Sequence, residues 1–208
     1  MTKRILFIVV AFLSFLIGIY PLIYLFIDRT FGLLGSKDRE LLSNFIWNIA
    51  FYSHIFLGGV ALLIGWVQFH EKIRATRPKL HRTTGKVYII AVLISGVSGI
   101  YIGCFATGGI ISSLGFISLG ILWIYTTLNA FLYVKKGLII QHQVAMHYSY
   151  AACFSAVTLR IWLPLLILFL EDFTIAYRLV AWLAWIPNIL LVYYFTERIK
   201  RKLMITPL

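Results

Sequence analysis

Six runs of predominantly apolar residues, at about 5–27, 45–69, 86–107, 110–134, 144–170 and 174–196, constrain this 208-residue chain more than any other feature. About 20 such residues are needed for a helix to cross the hydrocarbon core of a bilayer. Lipid offers no water to an unpaired N–H or C=O, so each run must satisfy its backbone within itself, which a helix does and an isolated strand does not. Hydrophobic residues make up 61% of the chain and charged residues 12%, a balance that a water-soluble domain of this size could not bury. We therefore expect an all-α integral membrane protein, with residues 1–208 forming one transmembrane domain of six helices.

The start, Met1-Thr2-Lys3-Arg4 followed by an apolar run, has the charge pattern of a secretory signal. The run is too long for a signal's apolar region and lacks a small-x-small cleavage site, so it is read as a retained first helix.

The basic residues predict orientation. Fourteen of the nineteen lie on alternate connections: Lys3 and Arg4; Lys72, Arg74, Arg77, Lys79, Arg82 and Lys86; Lys135 and Lys136; Arg198, Lys200, Arg201 and Lys202. On the other side Arg29, Lys37 and Arg39 are offset by Asp28, Asp38 and Glu40, and the fifth connection carries only Glu171 and Asp172. Lys and Arg favour cytoplasmic connections, so both termini are expected inside, in the cytoplasmic (inner) membrane of a bacterium. The net charge of +12 does not mark a nucleic-acid binder, because it sits in short clusters between apolar runs with no aromatic interleaving. Cys104 and Cys153 have no CxxC spacing and are read as small core residues without a disulfide or zinc.

Three segments carry polar stripes. His54, Gly58, Ala61, Gly65 and Gln68 follow one another at spacings of 4, 3, 4 and 3, which places them on one helix face. His81, Gly85, Tyr88, Val92, Ser95 and Gly99 do the same in the third segment, and His142, Met146, Ser149, Cys153, Ala156 and Arg160 in the fifth. Small residues at such spacing also make ordinary packing seams. By position, His54 and Arg160 share one depth, while Gln68 and His142 form a layer nearer the cytoplasm. Tight turns at Gly108-Gly109 and near Glu171 make segments three and four, and five and six, antiparallel neighbours.

Arg160 carries the most information. An arginine in the bilayer interior is costly unless it faces a cavity or a partner, and no Asp or Glu lies in the central part of any segment. It either binds carbonyls and neutral His54, pairs with an anionic group on a ligand such as a propionate or lipid phosphate, or snorkels to the surface. Pro164 removes the amide that would bond the Arg160 carbonyl, so the backbone is expected to open there. His81 and His142 are interfacial anchors or ligands, His147 is a buried hydrogen-bonder pointing elsewhere, and His70 is a helix cap. Trp47, Trp66, Tyr133 and Trp185 are read as interface belts and packing.

The pattern of His54, Gly58, Ala61-Leu62, Gly65 and Gln68-Phe69, then Leu80-His81-Arg82, Gly85-Lys86-Val87-Tyr88, resembles the DUF2306 family of predicted bacterial membrane proteins. His142, Met146, Tyr150-Ala151 and Thr158-Leu159-Arg160 are similar to that family's third block, so the resemblance covers roughly 45–165. Where the family has a tryptophan before the methionine and an arginine two residues after it, this chain has Ala145 and Tyr148. The resemblance supports the architecture and marks His54, His81, His142 and Arg160, without supplying a reaction. A looser resemblance is to cytochrome b561-like proteins, which hold haem between histidines on a four-helix core.

Together these readings place helices two to five around a polar, histidine-lined centre. His81 and His142 are the candidate iron ligands of one haem b, with His54, Arg160, Gln68 and His147 as further cofactor contacts. Transmembrane electron transfer, with a quinone or another membrane protein as partner, is the first expectation. A small-anion or lipid binding and transport protein is the alternative, and an accessory subunit of a larger membrane complex is the third. A hydrolase is disfavoured, since there is no HExxH, paired carboxylate or Gly-x-Ser-x-Gly elbow.

Overall fold

The computed structural model describes residues 2–28 and 32–205, with side chains described from 4 to 28 and from 32 to 196. Arg29 and the side chains of Lys3, Arg198, Lys200, Arg201 and Lys202 lie outside that description. The helices are α1 (Thr2–Ile19), α2 (Arg39–Ser43), α3 (Phe45–Gly65), α4 (Glu71–Thr76), α5 (Pro78–Gly103), α6 (Ile110–Lys135), α7 (Ile139–Cys153), α8 (Ser155–Leu170), α9 (Phe173–Leu183) and α10 (Ile186–Ile205). They assemble into six spans long and apolar enough to cross a membrane, and no strand occurs among the described residues. Spans one, two, five and six are α1 with a following 3-10 turn, α3 with another, α7 with α8, and α9 with α10; α5 and α6 are spans three and four. Large apolar side chains such as Phe12, Ile46, Ile90, Ile121, Leu168 and Leu191 cover the outside of the bundle, as a lipid-facing surface requires.

Local chemistry sets the ends. Asn44 caps α3 by accepting the Trp47 N–H at 2.9 Å, and Asp172 caps α9 by accepting the Ile175 N–H at 2.8 Å. His70 caps α4 through the Ile73 N–H, as its position predicts, and Pro78 opens α5 where its missing donor costs nothing. Gly108 and Gly109 adopt positive φ in the turn between α5 and α6, and Glu171 takes the left-handed conformation between α8 and α9. Span three begins at Pro78 and span five at Ile139, earlier than the apolar runs at 86 and 144. Hydropathy marks only the part of a helix immersed in oil, and both helices continue into the basic connections.

Spans one, five and six are not single regular helices. After Ile19 the first tightens into a 3-10 turn, Tyr20–Leu25, around Pro21, which has no N–H to donate. The sixth is interrupted at Ala184 and Trp185 ahead of Pro187. The fifth breaks at Phe154, between α7 and α8, while α8 runs through Pro164. Pro164 still has no N–H to offer the Arg160 carbonyl, but the helix does not break there. The two breaks face each other. Thr158 Oγ1 donates to the Ala184 carbonyl, and Asn188 Nδ2 reaches Thr158 Oγ1 at 3.1 Å and the carbonyls of Ala184 (3.1 Å) and Ala151 (3.3 Å).

The three polar stripes meet in the core. Ala61, Tyr88, Val92, Ser95 and Ser149 are fully buried. Tyr88 Oη lies 2.9 Å from Ser149 Oγ, which lies 2.6 Å from Thr127 Oγ1 on α6. Gly65 lies against the rings of Tyr150 and Tyr88, and Tyr150 Oη reaches Ser14 Oγ of α1 at 2.7 Å. In the α1–α3 contact backbone meets backbone: a Cβ on Gly59 would sit 2.6 Å from the Gly18 carbonyl oxygen, so only glycine lets these helices approach so closely.

Candidate functional site

A cavity of about 230 Å³ lies inside the bundle on the side of the connection that carries Lys37. Most of its border is apolar, including Ile17, Phe51, Leu62, Phe116, Leu119 and Leu159. The polar exceptions include His54, Arg160, Lys37, Ser155 and the hydroxyl-bearing Tyr24 and Tyr177. His54 is nine residues beyond Phe45, the start of α3, and Arg160 is ten before Leu170, the end of α8. At 1.5 Å per residue both lie about 13–15 Å from that end of the bundle, near the middle of a ~30 Å hydrocarbon layer.

His54 is held by α5. Its Nδ1 lies 2.9 Å from the Ser95 carbonyl oxygen, and Ser95 Oγ donates to the His54 carbonyl at 2.9 Å. A carbonyl can only accept, so Nδ1 carries a proton and Nε2 is the ring nitrogen left for the cavity. Gly99 makes this pose available, because a Cβ there would stand 2.7 Å from Nδ1 and 2.8 Å from Cε1.

Arg160 has little company for a cation in oil. Among the described residues its one hydrogen bond is Nη1 to the Ala156 carbonyl at 2.8 Å, one turn back on its own helix. Its guanidinium carbon lies 4.6 Å from the centroid of the Tyr20 ring, a cation–π contact. All seven Asp and Glu residues lie at segment ends or in connections, so no carboxylate neutralises it at this depth. Carbonyl bonding thus accounts for one donor of five, and the other four remain for the cavity or the tyrosines.

Lys37 closes the end nearest the surface. Its Nζ donates to Thr107 Oγ1 at 2.9 Å and to the Phe105 carbonyl, which ties the connection after span one to the end of span three. Burial pushes this ammonium below the usual lysine range, and Asp38 pulls it partly back. Trp47, only 2% exposed, also borders the cavity, and its indole N–H is buried with no hydrogen-bond partner among the described residues.

The structure brings His54 and Arg160 to one cavity, bordered also by Ile17, Pro21 and Tyr24 of the first span and Tyr177 of the sixth. Helices two to five alone do not enclose it. Gln68, His81, His142 and His147 do not border it. Gln68 Nε2 donates to Thr84 Oγ1 at 2.6 Å, and His142 Nδ1 lies 2.8 Å from the Ala130 carbonyl. His81 Nδ1 is buried without a partner, and His81 stands within electrostatic reach of His142. All three lie toward the end of the bundle opposite Lys37. His147 departs from expectation: it is exposed, bonded to its own Gln143 carbonyl at 2.6 Å and set against the Phe69 ring. Cys153 is buried as expected, whereas Cys104 is exposed at the end of α5.

Tyr20, Tyr24, Lys37 and Trp47 were not legible as site residues from spacing. Pro21 between the two tyrosines was the available signal, since the 3-10 turn it opens carries both rings toward α8. Arg178, on α9, also escaped the reading of stripes; its Nε donates to the Gly108 carbonyl at 2.8 Å and fastens the α5–α6 turn.

Comparison with known proteins gives one match. The family model described as a predicted membrane protein (DUF2306) matches residues 51–196. No curated protein and no solved structure matches.

Proposed function

The chain belongs to the DUF2306 family of predicted membrane proteins, and on that premise we propose that it binds an anionic amphiphile in the cavity between its spans. The anionic head sits on Arg160 and the apolar body lies along Ile17, Phe51, Leu119 and Leu159. The observation that carries this reading is Arg160 itself, a guanidinium near mid-membrane that borders an apolar cavity and has no carboxylate partner. Insertion of an arginine at that depth costs about 2.5–3.5 kcal/mol on translocon scales, and a ligand's negative charge offsets it. Under the orientation expected from the basic residues, the cavity lies toward the outer face of a bacterial cytoplasmic membrane.

The test is binding of dodecyl phosphate and dodecanoate to protein in phosphatidylcholine nanodiscs. Arg160→Gln is expected to weaken both by tenfold or more. Unchanged affinity in that variant, or no saturable binding to the unmodified protein, rejects the proposal.

A second reading, haem b and electron transfer, is favoured by the opposite layer. His142 is oriented through Nδ1 by a backbone carbonyl, which leaves Nε2 for an iron, and His81 has an unpartnered buried nitrogen beside it. These residues fit the imidazole ligands of such a group, which would supply one-electron chemistry. Neither borders the described cavity, so the anion reading stands first. Protein purified from haem-replete cells is expected to show a Soret band that His142→Ala abolishes if this reading holds, and no band at all if it does not.

A further inference from the structure

Resting on the amphiphile reading, we infer that the head held by His54 and Arg160 is a hydrogen phosphate, as on the phosphate monoester of a long-chain alcohol. The cavity offers two unlike functions at one depth. Arg160 supplies a positive charge and a planar set of N–H donors, which suits the paired oxygens of an oxyanion. His54 supplies the reverse. With Nδ1 committed to the Ser95 carbonyl, the neutral ring presents Nε2 as an acceptor, and Nε2 makes no hydrogen bond among the described residues. A complementary head therefore carries one negative charge, acceptor oxygens for the guanidinium and an O–H for the imidazole.

Few oxyanions on apolar molecules meet all three conditions. An ionised carboxylate or sulfonate has no O–H left to donate. The phosphodiester of an ordinary membrane phospholipid has none either. A phosphate monoester keeps one in its singly charged form, and its second proton leaves only near pH 6 in water. Lys37 also borders the cavity, but its ammonium is held at the surface end by Thr107 Oγ1 and the Phe105 carbonyl. At the depth of His54 the head meets a single guanidinium, with no water to solvate a second negative charge, and the singly charged form is the one that balances it. The buried indole N–H of Trp47 is a further donor bordering the same space, in keeping with an acceptor-rich ligand. The apolar border, with Phe51 and Leu119 among it, favours a head attached to a chain over free phosphate.

The experiment compares four probes on the full chain in phosphatidylcholine nanodiscs: dodecyl phosphate, its methyl diester, dodecanoate and inorganic phosphate. Dodecyl phosphate and the diester differ at the head by one O–H and one charge state. The expected result is at least tenfold tighter binding of dodecyl phosphate than of the diester or dodecanoate, with that preference lost in His54→Leu. Because the preference is first read in the unmodified protein, it remains a test even where the variant does not fold. Equal binding of all three amphiphiles overturns the phosphate assignment and leaves the amphiphile reading standing. No binding by any probe overturns both. Inorganic phosphate binding as tightly as dodecyl phosphate sustains the hydrogen-phosphate head and assigns it to free phosphate instead of a lipid.

Discussion

His54 reaches its position because a neighbouring helix lacks a side chain. The ring lies against Gly99, and the two contacts a Cβ would make there, 2.7 Å and 2.8 Å, fall on the ring and cannot be relieved by moving a flexible tip. Gly99→Ala should therefore push the imidazole off the Ser95 carbonyl. The expected cost is about 1–3 kcal/mol of stability, together with at least a tenfold loss of dodecyl phosphate affinity. Gly85→Ala is the matched comparison on the same helix face, since its Cβ would meet only Gln68 Oε1 at an ordinary 3.5 Å. Thermal unfolding and probe binding of the two variants check this, and a Gly99→Ala protein that binds like the unmodified one removes the need for the His54–Ser95 bond. Spacing alone put His54 and Gly99 on inward faces, because an i, i+3, i+4 pattern is a local property of one helix. It could not say that these two would touch, since the register between two helices is settled by packing along their whole length. Lys37 was hidden for a related reason: nothing local distinguishes a connection residue that folds back over a cavity from one that faces water.

At the scale of elements, the fifth and sixth spans are the least regular part of the bundle. A broken helix in lipid leaves carbonyls that water cannot reach, and each costs several kcal/mol if left alone. Here the Asn188 amide and the Thr158 hydroxyl serve the carbonyls of Ala151 and Ala184 at the two facing breaks. Individual hydrogen bonds between membrane helices are worth about 0.6 kcal/mol on average and up to about 1.7. Asn188→Leu, which removes three contacts, is expected to destabilise the protein by about 1–3 kcal/mol. Thr158→Val should cost about 1 kcal/mol, and the double variant less than the sum because the two side chains share a bond. Unfolding titrations in mixed detergent micelles measure all three, and strict additivity would show that the two side chains act separately. Of these breaks, the sixth follows from Pro187, a residue any reader can find. The fifth does not, because Phe154 is flanked by Cys153 and Ser155 with no proline or glycine, while Pro164 further on is accommodated. A proline removes one donor, but whether a helix breaks there depends on what neighbouring spans offer to the freed carbonyl.

For the whole molecule, the six spans were legible because the requirement that creates them is local: each must be apolar over the thickness of the oil. Orientation is a different property, set by charges that the bundle itself does not use, and it decides which leaflet supplies the cavity. Two cysteines make it measurable without adding a domain. Cys104 is exposed just past the end of α5, on the same side of the bundle as Lys37 and the α5–α6 turn, while Cys153 is buried against the cavity and sheltered from reagents. With both termini in the cytoplasm, a membrane-impermeant maleimide applied to intact spheroplasts should label Cys104 and leave Cys153 untouched. In a Cys104→Ala background, Lys136→Cys, exposed at the other end of α6, should label only after the membrane is opened. The reverse pattern would place Lys37 and the near end of the cavity on the cytoplasmic side. An anionic amphiphile would then be drawn from the inner leaflet, and the basic residues between spans two and three, together with the layer of His81 and His142 beside them, would face the outside instead of the cytoplasm.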